Sequence, residues 1–186
     1  MALSTDQKNK LIEALIKGGY NLIDAKNAAN GPTAENLVKE YLKTSNITSF
    51  INIWINRFAD YDKAWGYQCV DLMRYYVKFL FNIDAYKIIP ANVGAYQMFA
   101  AYKSDKYFTK VINNPKDQNQ IPPIGAIMFW KPYQLFLTGK NGHVGMVQTP
   151  NILNNIIFNQ NWPTNSNCHL QKFGWRGVAG WLIPKV

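Results

Sequence analysis

Ala126-Ile127-Met128-Phe129-Trp130 and His143-Val144-Gly145-Met146-Val147-Gln148 are short β-rich runs separated by a stretch holding Pro132, Gly139 and Gly142. Three more such runs follow at Asn155–Trp162, His169–Trp175 and Val178–Pro184, each set off by Gly, Pro or Asn turns. Consecutive short strands with tight turns between them pair antiparallel. Upstream of Pro123 the spacing of apolar residues is helical. Helices first and strands afterwards define an α+β domain built on an antiparallel sheet.

Working back from that sheet, Val70–Phe81 is an apolar helical run carrying Tyr75, Tyr76, Phe79 and Leu80. A shorter helix is predicted over Val93–Tyr102, and Asn113–Pro123 reads as loop. Further upstream, Ser4 or Thr5 caps a helix to Lys17, with Leu11, Ile12, Leu15 and Ile16 on one face and Gly18-Gly19 as its stop. Asn30-Gly31-Pro32 breaks the chain before a second helix, Ala34–Lys43, with Leu37, Val38, Tyr41 and Leu42 at helical spacing. A third apolar stretch covers Phe50–Phe58. These segments hold no His, no Cys and no clustered carboxylates, so they read as scaffold or contact surface. The character changes at Ala59, and the chain divides into a helical extension, residues 1–58, and a domain over residues 59–186.

Composition narrows the function classes. The 186 residues are 48% hydrophobic and 17% charged, which suits a packed core and argues against disorder. The net charge of +9, from 20 basic and 11 acidic residues, favours an anionic partner such as nucleic acid, an acidic membrane or a teichoic-acid-bearing wall. No phosphate loop, zinc-finger spacing or basic stripe supports nucleic-acid binding. No apolar run is long enough to cross a membrane. Two cysteines, Cys69 and Cys168, make no disulfide framework. Residues Met1–Tyr20 lack the layout of a secretory signal, so free thiols in a reducing cytoplasm are expected.

Cys69 stands at the predicted start of a helix, directly after a glycine-containing loop. Backbone N–H groups there favour an anion and so favour a thiolate. The same groups can hold the oxyanion formed when sulfur attacks an amide. His143, between Gly142 and Val144 at the head of a strand, is placed as a base facing a cleft. Asn159 and Asn161 alternate onto one strand face and Gln160 onto the other. A polar residue there can accept the Nδ1–H of His143 and fix its tautomer. His169, beside Cys168, reads as structural. Asp60, Asp62 and Asp71 offer hard oxygen ligands, and the carbonyls of Ala64 and Gly66 could complete a calcium shell. Zinc is disfavoured, because Cys168-His169 and the distant Cys69 and His143 show no zinc-ligand spacing.

Gly66-Tyr67-Gln68-Cys69-Val70-Asp71-Leu72 resembles the nucleophile motif of the CHAP family, the cysteine, histidine-dependent amidohydrolases/peptidases. Three further elements occur in the family's order. Gly125-Ala126-Ile127-Met128-Phe129-Trp130 is similar to its Gly-Asp-Ile strand, Gly142-His143-Val144-Gly145-Met146-Val147 to its Gly-His strand, and Asn159-Gln160-Asn161-Trp162 to its Gln-Asn-Trp strand. The closing Gly177-Val178-Ala179-Gly180-Trp181-Leu182-Ile183-Pro184 is like the terminal strand of many phage endolysins. The resemblance implies a papain-like α+β fold with helices packed on the sheet. It implies Cys69 as nucleophile, His143 as base, Asn161 at the polar orienting position and Gln68 in the oxyanion hole.

The substrate so implied is bacterial peptidoglycan, cut as an endopeptidase or as an N-acetylmuramoyl-L-alanine amidase. Some phage lysins of the family bind calcium in a loop matching residues 60–71, and no organic cofactor is implied. The protein would be a monomer held in the host cytoplasm until lysis, or carried on a virion, with anionic wall polymers as added partners. Two positions depart from the pattern: Asn159 stands where phage lysins often have Glu, and Ala126 where the family usually has Asp. An amide orients an imidazole without offsetting its positive charge. A non-catalytic wall-binding or virion module on the same fold is therefore the alternative, and a papain-like protease with a protein substrate a third reading.

Overall fold

The structure is a computed structural model that describes residues 4–17, 26, 46–89, 94–117, 119–134 and 139–186. The chain forms two compact units, Met1–Asn46 and Ile47–Val186. In the first, helix α1 (Thr5–Lys17) starts where the cap was expected. The Gln7 amide donates to Ser4 Oγ at 3.3 Å and Gln7 Oε1 accepts from the Ser4 amide at 2.9 Å, a reciprocal cap. The helix predicted over residues 34–43 lies outside the described residues.

The second unit opens within α2, which is helical over residues 46–54. It continues through α3 (Cys69–Phe81) and α4 (Ala95–Ala101) into a six-stranded antiparallel sheet. The strands are β1 (Phe108–Ile112), β2 (Ile127–Trp130), β3 (His143–Thr149), β4 (Asn155–Asn159), β5 (His169–Phe173) and β6 (Val178–Pro184), in the spatial order β1-β6-β2-β3-β4-β5. The α+β class with helices on an antiparallel sheet is the one the patterning predicts. Among the described residues no helix is long and apolar enough to cross a membrane.

Alternation assigns the two sheet faces. Ile127, Phe129, Val144, Met146 and Phe158 join Leu72, Met73, Tyr76 and Val77 of α3 in the core beneath the helices. Met128, Trp130, Val147, Ile157, Phe173 and Trp181 form a second apolar layer on the opposite face. Helix α3 therefore rests along β3, and its N-terminus meets the start of that strand. Asn82 ends the helix in the left-handed conformation at φ 52°, its amide bonded to the Lys78 carbonyl at 2.8 Å.

The compact unit that carries the sheet begins at Ile47, ahead of the domain start read at Ala59. Phe50 is fully buried, with its ring 4.9 Å from Tyr76 and 6.2 Å from Phe158, so α2 belongs to the core of the sheet unit. Strand β1 was not anticipated. Phe108–Ile112 gains its partner only from β6 at the far end of the chain, in register Phe108 to Pro184.

Candidate active site

The loop from Ala59 to Gln68 is wound tightly enough to deliver Cys69 at a fixed point. The Lys63 amide donates to Asp60 Oδ1 and the Ala64 amide to Asp62 Oδ1, both at 2.9 Å. These are side-chain turns that leave Lys63, Trp65 and Gly66 in the left-handed region. At the loop's end the Gln68 amide donates to Asp71 Oδ2 at 2.9 Å, which caps α3 and makes Cys69 its first residue. Cys69 is partly exposed, and the backbone N–H of Val144, the residue after His143, favours its anion. Gln68, Cys69, His143, Asn161 and Trp162 line one cleft of about 310 Å³, closed on its other sides by Gly94-Ala95 and the Gly139–Gly142 turn.

His143 is 2% exposed and sits in an aromatic box. Its ring lies 5.8 Å from Trp130, 5.6 Å from Trp162 and 5.7 Å from Phe173, nearly parallel to the last. Nε2 is 3.2 Å from Asn159 Oδ1. That oxygen can only accept, so Nε2 carries the hydrogen and Nδ1 keeps its lone pair. Two glycines permit this placement. Gly142 turns into β3 at φ 71°, and Gly145 has no Cβ where one would strike Ile157 and crowd Asn159.

The orienting group differs from the expectation in residue and in atom. Asn159, not Asn161, holds the imidazole, and it does so through Nε2, not Nδ1. Strand β4 ends at Asn159, so the alternation that would carry Asn161 to the same face stops there. Asn161 turns to φ 62°, and its Oδ1 accepts the Asn165 amide at 2.7 Å on the cleft rim. Gln68 lines the cleft, its Nε2 donating to the Trp65 carbonyl at 3.2 Å.

A profile of the CHAP domain matches residues 58–161, more than half of the chain and a span that includes both the Cys69 and the His143 sides of the cleft. The chain belongs to the CHAP family. Among solved structures, that of a wild-type endolysin, LysIME-EF1, shares the CHAP-type fold at a TM-score of 0.58 and 19% identity. The alignment covers 76% of this chain and 63% of that one, so the chain spans under two thirds of the endolysin's length. No curated protein matches.

Burial dominates the electrostatics of this CHAP cleft. It pushes the Cys69 thiol up to about 11, with the Val144 N–H acting against it. It holds the His143 imidazole down at about 4, opposed by the Asn159 hydrogen bond. Thiol and imidazole are therefore both neutral at rest across neutral pH.

A second cluster joins the loop before Cys69 to the first turn of α3. Asp60, Asp62 and Asp71 place one carboxylate oxygen each within 4.8 Å of one another. Calcium binds oxygens at about 2.3–2.6 Å, so ligands on opposite sides of one ion stand roughly 5 Å apart, and the spacing fits. Asp71 is fully buried, and its carboxyl is pushed up to about 6, first by burial and then by Asp62 and Asp60 against the Gln68 amide and Arg74. Arg74 Nη1 lies 3.4 Å from Asp71 and 3.6 Å from Asp62. Its buried Nε has no partner among the described residues. The donor set suits a hard divalent cation, with an arginine already supplying part of the charge.

His169 is held by the Asn167 carbonyl at 2.7 Å and by Gln171 Oε1 at 3.2 Å. Ala126 is buried in the second apolar layer, where an Asp would need hydrogen-bond partners. Sequence reasoning missed the aromatic box around His143 and the contacts of Gln160. Trp130, Trp162 and Phe173 come from three separate strand regions, and no local pattern joins them.

Proposed function

We propose that this chain is a peptidoglycan hydrolase that cleaves wall amides by Cys-His nucleophilic catalysis. The observation that carries the reading is one cleft lined by Cys69 and His143, with Asn159 holding the far nitrogen of the imidazole. Cys69 Sγ attacks the carbonyl carbon of a wall amide while its proton passes to Nδ1 of His143. The Cys69 backbone N–H and the second N–H of the Gln68 side chain stabilise the oxyanion. The tetrahedral adduct collapses, the C–N bond breaks, and the imidazolium returns the proton to the leaving amine. Water, deprotonated by His143, then hydrolyses the thioester and frees the thiol. A neutral resting pair makes the first proton transfer concerted with attack.

The substrate amide lies in the stem peptide or crossbridge, or between sugar and peptide. The net charge of +9 supports attraction to anionic wall polymers. Action at the bacterial wall by a monomer, released from the host cytoplasm at lysis or carried on a virion, belongs to the same proposal. Calcium, held by Asp60, Asp62 and Asp71, would brace the loop that presents Cys69.

Purified cell walls test this. Wild type clears them and releases new amino groups, whereas Cys69→Ala does neither. Casein left intact separates this activity from that of a general protease. The amide at Asn159, which cannot offset an imidazolium, favours a second reading as a non-catalytic wall binder. Equal wall binding by wild type and Cys69→Ala, with no clearing by either, would establish that reading instead.

A further inference from the structure

The buried glutamine beside the cleft has no part in the chemistry just described, yet it is the most fully bonded side chain near it. Gln160 is 0% exposed. Its Oε1 accepts the Ala59 amide at 2.6 Å and the Cys168 thiol at 3.1 Å. Its Nε2 donates to the Ala59 carbonyl at 2.8 Å and to the Gln68 carbonyl at 2.9 Å. An amide side chain offers two acceptor and two donor positions, and all four are used. Cys168 is itself pinned, its amide bonded to the Arg57 carbonyl and its carbonyl to the Asn56 amide, both at 2.8 Å.

These bonds join the two ends of one loop. Ala59 opens the segment that carries Asp60 and Asp62, and Gln68 closes it one residue before Cys69. The Gln68 carbonyl also accepts the Asp71 amide at 3.0 Å in the first turn of α3. The Gln160 backbone directly follows Asn159, the residue that holds His143. One short stretch of chain thus grips the imidazole with one residue and the nucleophile's loop with the next.

We infer that Gln160 is a positioning residue that sets Cys69 against His143, with Cys168 as the buried donor that completes its bonding. The inference rests on the reading of Cys69 as nucleophile. Glutamate at this position would turn two donors into acceptors facing the Ala59 and Gln68 carbonyls. Methionine, of similar length, would strip the Ala59 amide, the Ala59 carbonyl and the Cys168 thiol of this partner and leave the Gln68 carbonyl with the Asp71 amide alone.

The test uses wall hydrolysis together with alkylation of the native protein by iodoacetamide, in a Cys168→Ser background where Cys69 is the sole thiol. Gln160→Met is expected to lower kcat by about 100-fold with KM nearly unchanged, as a displacement of around 1 Å at a reacting atom can do. Its Cys69 alkylation rate and pH profile should approach those of His143→Ala. Folded Gln160→Met with kcat and alkylation within about twofold of its background would overturn the inference. Should Gln160→Met fail to fold, Cys168→Ala and Cys168→Ser decide: a several-fold loss of kcat in the first, restored in the second, supports the inference, and two unaltered enzymes overturn it. If Cys69→Ala still cleaves walls, the catalytic reading itself is wrong. If Cys69→Ala is dead and these variants are unaltered, only the positioning role is.

Discussion

Cys69 and Asp71 stand two residues apart in the first turn of α3, yet they belong to two clusters that meet burial in opposite ways. In the cleft, loss of water keeps the Cys69 thiol and the His143 imidazole neutral, and the aromatic walls around the ring need no counter-charge. In the loop, the Asp71 carboxyl is buried beside two more carboxylates, and Arg74 answers the crowding. Neutrality resolves desolvation in the cleft. Charge compensation resolves it where the backbone needs a fixed shape.

The largest expected effect breaks the cleft side of this contrast. Cys69→Ala should abolish wall clearing, and His143→Ala should lower the rate by roughly 10²–10⁴-fold, both read from turbidity and amine release. Asn159→Asp tests the neutral pair next. A carboxylate on Nε2 favours imidazolium, so the acid limb of kcat/KM should rise from about 4 toward the ordinary histidine value near 6.5. An acid limb that does not move would mean that Asn159 does not hold the ring in solution.

Calcium sharpens the loop side. At a concentration about 100 times its Kd it should stabilise the fold by about 2.7 kcal/mol, a rise of roughly 5–10 °C in Tm. Asp62→Asn should abolish the rise, and magnesium should not reproduce it. Equal melting in calcium and in EGTA would remove the metal from the loop.

A last test compares the clusters directly through pH. The folded value of His143, about 4, lies below its ordinary 6.5, so its contribution is complete above 6.5 and is lost as pH falls toward 4. The folded value of Asp71, about 6, lies above its ordinary 3.8, so its contribution is complete below 3.8 and is lost as pH rises through 6. The two slopes oppose each other over the same acid window. His143→Gln should therefore become more stable on acidification relative to wild type, measured by thermal melts across that range. Parallel curves would show that His143 titrates alike folded and unfolded.

Periodicity located β6 at Val178–Pro184 and α3 to within one residue, because each carries its own pattern of buried positions. It missed β1, whose five residues are held by a strand from the other end of the chain. It could not show the burial of Phe50, which is visible only once Tyr76 and Phe158 are placed around it. Cys69, His143, Gln68 and the aspartates were legible as residue types in a recognisable order. The choice between Asn159 and Asn161 was not, since it depends on where β4 stops. Nor was the grip of Gln160 on Ala59, which spans 101 residues.

The α+β class, the helix that begins at the cysteine and the strand that begins at the histidine can all be read from the order of the residues. Those follow from spacing, caps and turns, which act within a few residues. Which nitrogen of His143 is free, which asparagine holds the other, and what anchors the loop before Cys69 follow from the folded arrangement alone. Each of those is a hydrogen bond between different segments, 16 residues apart at His143 and 101 at Ala59, and its donor and acceptor meet only when those segments pack together.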